Sequence, residues 1–372
     1  MKQGDRSSRR EVVRVAALTA GVALLPGAAE AQASVVSRAD AAIRRAAAFL
    51  RSRQQPDGSW GSYPGVTSVC VIGLVRAGIP GSDSSVVKAC RSLASLAQPD
   101  GGIYTDKFGP GQKLPNYNTA LGLTALHLAN RAGYTDQIRK AQSYLVGSQY
   151  DEAEGFSPKD AQYGGIGYGS KQDNPDLSNL QNALEALVES GHSRNSEVFK
   201  KALIFVQRCQ NRKESNDQRW AGVDGGFVYA ASGESKAEAV TRKANSSYGS
   251  MTYAGLKSYL YCGVSRTDPR VVAAMDWLKS HYDVESNPAM GSDGLYYYYH
   301  TMSKTLATWG SRDFTDVDGK KHRWASDLTL AVLKRQSADG SWKNENPRWW
   351  EDRPELATGY ALMSLAYARK SL

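Results

Sequence analysis

Phe49-Leu50-Arg51-Ser52-Arg53-Gln54-Gln55-Pro56-Asp57-Gly58-Ser59-Trp60 decides the fold of this chain. An apolar helical pattern runs into a turn spaced Gln, three residues, Gly, one residue, Trp, and a second apolar helical pattern follows. The stretch returns at Leu333…Gln336-Ser337-Ala338-Asp339-Gly340-Ser341-Trp342. Weaker copies end at Gly101-Gly102-Ile103-Tyr104, Gly165-Ile166-Gly167-Tyr168, Gly225-Gly226-Phe227 and Gly294-Leu295-Tyr296, three of them with a glutamine nearby (Gln98, Gln149, Gln210). Such self-similarity means one helix hairpin used six times, each copy burying its apolar face against its neighbours.

The residue types suit that role. Glycine after a helix permits the positive φ that ends it. Glutamine can reach the unpaired backbone groups of a helix terminus. Tryptophan is a large apolar plug between repeats. These positions are therefore assigned to structure and none to chemistry. The helices after the turns read as Val66–Ala77, Tyr117–Ala132, Leu177–Ser190, Ser247–Tyr261, Tyr297–Trp309 and Leu356–Ala368. They are rich in small residues and nearly free of charge, as in Thr119-Ala120-Leu121-Gly122, which fits an inner ring. The preceding helices, such as Ser37–Arg53 and Glu197–Cys209, carry Lys and Arg and fit a solvated outer ring. Polar insertions at Tyr150–Asp176, Asn211–Asp224, Ser232–Ser246 and Thr315–Arg323 read as loops.

The first copy matches, position by position, the QW repeat of squalene and hopene cyclases and of prenyltransferase β subunits, and the chain is similar to that superfamily over nearly its whole length. The resemblance implies an all-α, (α/α)6 toroid of six helix hairpins as a single domain over residues 34–372. It implies a cavity at the N-terminal ends of the inner helices, where free N–H groups and the positive end of the helix dipole gather. Polar and aromatic residues at those ends are the candidate binding set: Tyr117, Asn118, Asn179, Tyr248, Tyr253, Tyr297, Lys304 and Tyr360. Candidate catalytic groups are His300, Tyr299 and Asp176, since Tyr and His can act as an acid/base pair.

Two family signatures are incomplete. Hopene-type cyclases carry Asp-x-Asp-Asp before an inner helix. Here Asp176-Leu177-Ser178-Asn179 keeps only the first Asp, and Asp176 and Ser178 equally suit helix N-caps. Prenyltransferases bind zinc through Asp, Cys and His. Asp224 and His300 match, but Gly226 stands where the Cys belongs, leaving two ligands where catalytic zinc wants three. No cofactor is expected, with zinc on Asp224 and His300 as the alternative.

The formal charge of +9 is spread without blocks, so no nucleic-acid partner is expected, while peripheral contact with a membrane is compatible. Ser8-Arg9-Arg10-Glu11-Val12-Val13, the apolar run Val15–Leu25 and Ala31-Gln32-Ala33 resemble a twin-arginine signal with a cleavage site. Residues 1–33 are thus expected to direct export to the periplasm or cell envelope. Four cysteines in a chain of this length do not imply a disulfide framework. The expected function is binding of an isoprenoid-like or other apolar molecule, with a transferase or cyclase-like activity that does without the Asp-x-Asp-Asp acid. A non-catalytic lipid- or protein-binding module and a polysaccharide lyase are the alternatives. A closed aromatic cavity supports the first reading, and an open groove lined by Arg and Asn the last.

Overall fold

The computed structural model describes residues 26–109, 112–169 and 174–372. Arg9, Arg10 and the run Val15–Leu25 lie outside the described residues, and the first helix runs through Ala31-Gln32-Ala33. In chain order the helices are α1 (Pro26–Arg53), α2 (Pro64–Arg76), α3 (Ser84–Ala94), α4 (Pro115–Asn130), α5 (Thr135–Val146), α6 (Leu177–Glu189), α7 (Glu197–Arg208), the single turn α8 (Glu238–Thr241), α9 (Gly249–Tyr261), α10 (Pro269–Ser280), α11 (Leu295–Trp309), α12 (Trp324–Lys334) and α13 (Pro354–Arg369). The insertion expected as a plain loop after α11 forms a small antiparallel hairpin, β1 (Phe314–Thr315) with β2 (Lys321–His322). Among the described residues no helix is long and apolar enough to cross a membrane.

Helices α2, α4, α6, α9, α11 and α13 pack in that order, and α13 returns to α2, so they form a closed inner ring. The remaining long helices lie outside it, each against the inner helices. Burial follows this layout. Every residue of α13 from Leu356 to Ala368 is buried, whereas α7 buries only Val198, Phe199, Ala202, Phe205, Val206 and Arg208 along one stripe. Closure of the ring rests on small residues. A Cβ on Gly73 of α2 would lie 2.6 Å from the Gly359 carbonyl of α13, so only glycine lets the two backbones meet.

The repeat turn works as a staple, which is more than the helix-end cap expected from sequence. Gln54 donates to its own turn at Gly58 O (3.0 Å) and to Ser85 O of the next outer helix (2.7 Å). Gln149 does the same to Gly164 and Val198, and Gln210 to Gly225 and Arg270. Gln336 reaches Gly340 and then Ala42 of α1, joining the last repeat to the first. The indole N–H groups of Trp60 and Trp342 each donate 2.8 Å to a carbonyl ten residues back, Leu50 and Val332. Both tryptophans are fully buried. Truncation of either to Ala is expected to cost about 3–5 kcal/mol, read as a clear fall in the thermal midpoint. An unchanged midpoint in both variants would overturn this account of the repeat. The fifth copy has no staple glutamine, and its Gly294 sits against the Trp349 ring. That departure is where the site lies.

Candidate active site

The inner helices all point their N-terminal ends at one mouth of the ring, where a cavity of roughly 870 Å³ opens. Eleven of its twenty-five lining residues are Tyr or Trp, among them Tyr117, Tyr248, Tyr297, Trp349, Trp350 and Tyr360. Arginine is absent from the wall among the described residues, and Asn182 is its one asparagine.

Among the described residues two carboxyl groups line this wall, the exposed Asp100 and the buried Glu351, a residue that the sequence did not single out. Glu351 follows Trp349 and Trp350, in the connection between α12 and α13. Its carboxylate accepts the N–H groups of Tyr296 (3.1 Å) and Tyr297 (2.8 Å), the free donors of the first turn of α11, and the amide of Asn344 (2.9 Å). These donors favour the ionised form, yet burial at 1% exposure outweighs them and pushes the group from 4.5 up to about 7. The chain beside it is bent to make this fit. Trp349 and Trp350 both take left-handed φ, 56° and 64°, unusual for bulky residues. Trp350 packs edge-on against Tyr63 at 4.9 Å, and Arg348 and Asn346 bind Asp293.

A tyrosine set adjoins the acid. The hydroxyls of Tyr117 and Tyr360 lie 3.1 Å apart, Tyr297 stands edge-on to Tyr360 at 6.0 Å, and Gln181 donates to the Tyr297 hydroxyl (3.2 Å). Desolvation pushes the Tyr117 phenol up to about 12, so it is a hydrogen-bonding group at neutral pH. Tyr117, Tyr248, Tyr297 and Tyr360 therefore all face the cavity.

Other expected residues lie elsewhere. Asp176 caps α6. It accepts the Asn179 N–H (2.9 Å), the Asn179 amide and the Ser178 hydroxyl (both 2.6 Å), and burial raises its pKa. It stands behind the wall formed by Ser178, Tyr168 and Tyr229, and Asn179 is bound to it. Asn118 is buried with its amide on Lys113 O. Tyr253 packs on Tyr298 at 5.8 Å, and Tyr299 donates to Val284 O (2.8 Å), so both belong to the packing outside the cavity. Helix periodicity explains this, since consecutive tyrosines at 296–299 must point in different directions.

His300 was expected to be a catalytic group at the cavity. It stacks instead on Tyr360 (5.7 Å) and lies tilted against Tyr367 (6.2 Å) of α13, beneath the cavity, at 6% exposure. Burial pushes its pKa from 6.5 down to about 3, so it is neutral and part of the core. Below it the axis of the ring is filled by charge. Lys257 and Lys304 pair with Glu185, and Lys304 also pairs with Glu189, which holds Arg76. Lys304 is thus an ion-pair residue of the core. Asp224 accepts the N–H of Gly226 (2.9 Å) and the Ser247 hydroxyl (2.8 Å) in its own exposed turn. Among the described residues no three His, Cys, Asp or Glu side chains are placed to hold a metal. The described cysteines are all free.

The neutral state of His300 has a testable sign. The unfolded histidine takes up a proton below about 6.5 and the folded one does not, so stability falls with pH by up to about 1.4 kcal/mol per unit as pH drops from 6.5 towards 3. His300→Phe is expected to flatten that limb of the thermal midpoint. An unchanged pH slope would place the ring in solvent.

No protein-family model matches the chain, and no curated protein does. Solved structures do. A variant of the type II terpene cyclase MstE from Scytonema, in complex with merosterolic acid A, superposes with a TM-score of 0.57 at 12% identity, covering 91% of this chain and 99% of that one. The same enzyme with geranylgeranyl dihydroxybenzoate gives 0.56 at 12% identity, with the same coverage. A glycosidase variant gives 0.54 at 14% identity over 91% of this chain and 98% of that one. At these identities the likeness is one of fold. The chain has the terpenoid cyclase-like α/α toroid fold, a class whose neighbours include both terpene cyclases and glycosidases.

Proposed function

We propose that this protein is an acid-catalysing enzyme of the cyclase type, which takes an isoprenoid-like molecule into its ring cavity and protonates it from Glu351. The observation that carries the reading is a carboxyl group with its pKa raised to about 7, set in an aromatic wall. A general acid works best with a pKa near the working pH. Glu351 would fill the role left open by the missing Asp-x-Asp-Asp motif. Tyr117, Tyr297 and Tyr360 would stabilise positive charge as it develops on the substrate, because aromatic faces attract cations. The aromatic lining and the lack of Arg among the described wall residues favour this reading over the polysaccharide lyase. The non-catalytic module gives no reason for a buried carboxyl with a raised pKa in the cavity wall. No cofactor takes part in this scheme.

Linear C15 and C20 isoprenoids incubated with the enzyme test the proposal, with cyclic or hydrated products read by mass spectrometry. No product from any of them, at any pH from 5 to 8, would overturn it. Export is part of the same proposal. Arg9→Lys with Arg10→Lys is expected to hold the precursor in the cytoplasm, and normal export of the double variant would refute the twin-arginine route to the periplasm or envelope.

A further inference from the structure

The cavity has two unlike walls, and ring order sets them face to face. With the inner helices arranged α2-α4-α6-α9-α11-α13, α6 stands opposite α13 and α9 opposite α2. The α13 and α2 side presents Val66 and Leu356, with Trp350 packed on Tyr63, and its hydroxyls are taken up by the protein: Tyr360 by Tyr117, and Tyr63 by Gln112 O. The α6 and α9 side presents Ser178, Asn182, Tyr248 and Ser250, with Met251 as its one apolar member.

Several hydrogen-bonding groups of the second wall are unused by the protein. Asn182 accepts from the Gln181 amide through its oxygen, and its own NH2 group has no acceptor among the described residues. Ser250 accepts from Asn287 at 3.3 Å and donates its hydroxyl proton to nothing among the described residues. The Tyr248 hydroxyl has no protein partner among them either, and behind them the buried Gln181 Oε1 is unpaired. A pure hydrocarbon would strip water from these groups without replacing its hydrogen bonds, which penalises binding.

Resting on the reading of the cavity as an isoprenoid site, we infer that the substrate is amphiphilic: an isoprenoid chain that carries a hydroxyl-rich ring. The chain lies against α13 and α2, and the ring hydroxyls face Asn182, Tyr248 and Ser250. A sugar ring and a dihydroxyaryl ring share the required chemistry.

Binding of three chain-matched probes, geraniol, geranyl β-glucoside and geranylhydroquinone, is the test. It is followed by quenching of tryptophan fluorescence, with calorimetry as a check. At least one ring-bearing probe is expected to bind about tenfold or more tighter than geraniol, and which one does so identifies the ring. Tyr248→Phe, which removes one oxygen atom only, and Asn182→Leu are each expected to lose most of that preference, weakening the ring-bearing probe far more than geraniol. Equal affinity for all three probes, or an equal loss for all probes in both variants, would overturn the inference. Because binding is read without turnover, its failure is separate from a failure of Glu351 as acid: Glu351→Gln is expected to bind the preferred probe normally.

Discussion

Glu351→Gln is expected to lower turnover by about 10²–10⁴-fold, the usual contribution of a positioned general acid, while the protein stays folded. In the wild type, activity is expected to fall as pH rises through about 7, because the proposed acid is the protonated carboxyl. Stability gives an independent readout of the same group. The folded carboxyl holds its proton up to about 7, whereas the unfolded one releases it near 4.5. Its contribution is therefore fully present below 4.5 and is lost as pH rises to 7, a change of about 3 kcal/mol. The variant should lack that slope. Wild-type turnover in Glu351→Gln, or identical pH profiles of the thermal midpoint, would remove Glu351 from the mechanism. The environment that raises the pKa is also the one that makes the residue costly to keep, which is the pattern of a site where perturbed groups do chemistry.

The largest expected effect on stability lies below the cavity. Glu185 is the hub of the axial charge cluster. Burial pushes its carboxyl up, but Lys257 and Lys304 outweigh that and hold it well below the usual range. The Lys257 side chain is fully buried. Glu185→Ala would leave that ammonium without its partner, a loss of about 3–5 kcal/mol. In a domain of this size the midpoint should fall by roughly 4–7 °C. The double variant Glu185→Leu with Lys257→Met should recover most of it, since an apolar pair of similar volume carries no unpaired charge. A single variant as stable as wild type, or a double variant no better than the single, would show that the cluster is hydrated. The cluster also accounts for the placement of Lys304 and His300. Lys304 is neutralised by Glu185 and Glu189, and His300 beside it stays neutral, so neither is left to meet a ligand.

The sequence by itself determined the ring. The spacing of Gln54, Gly58 and Trp60, and its return at Gln336, Gly340 and Trp342, is a local pattern with a local physical cause. The Gly takes the positive φ, the Gln binds the turn and the Trp fills the seam, so helix number, order and inner-outer alternation could all be read along the chain. The tyrosines that open an inner helix, Tyr117 and Tyr297, were legible for the same reason, because position in the repeat fixes which mouth they face. Tertiary structure alone decided which side of each helix meets the cavity. That is why Tyr297 lines it while Tyr299 and Tyr253 pack away from it, and why His300 lies under Tyr360. It also decided the surroundings of Glu351. Glu351 lies in a connection with no repeat signature, and the only trace in the sequence is a Trp-Trp-Glu run in an otherwise polar segment. Its chemistry comes from the N–H groups of α11, more than fifty residues earlier in the chain, and from burial under the aromatic wall. Charge state is set by surroundings, and those surroundings exist only once the ring has closed.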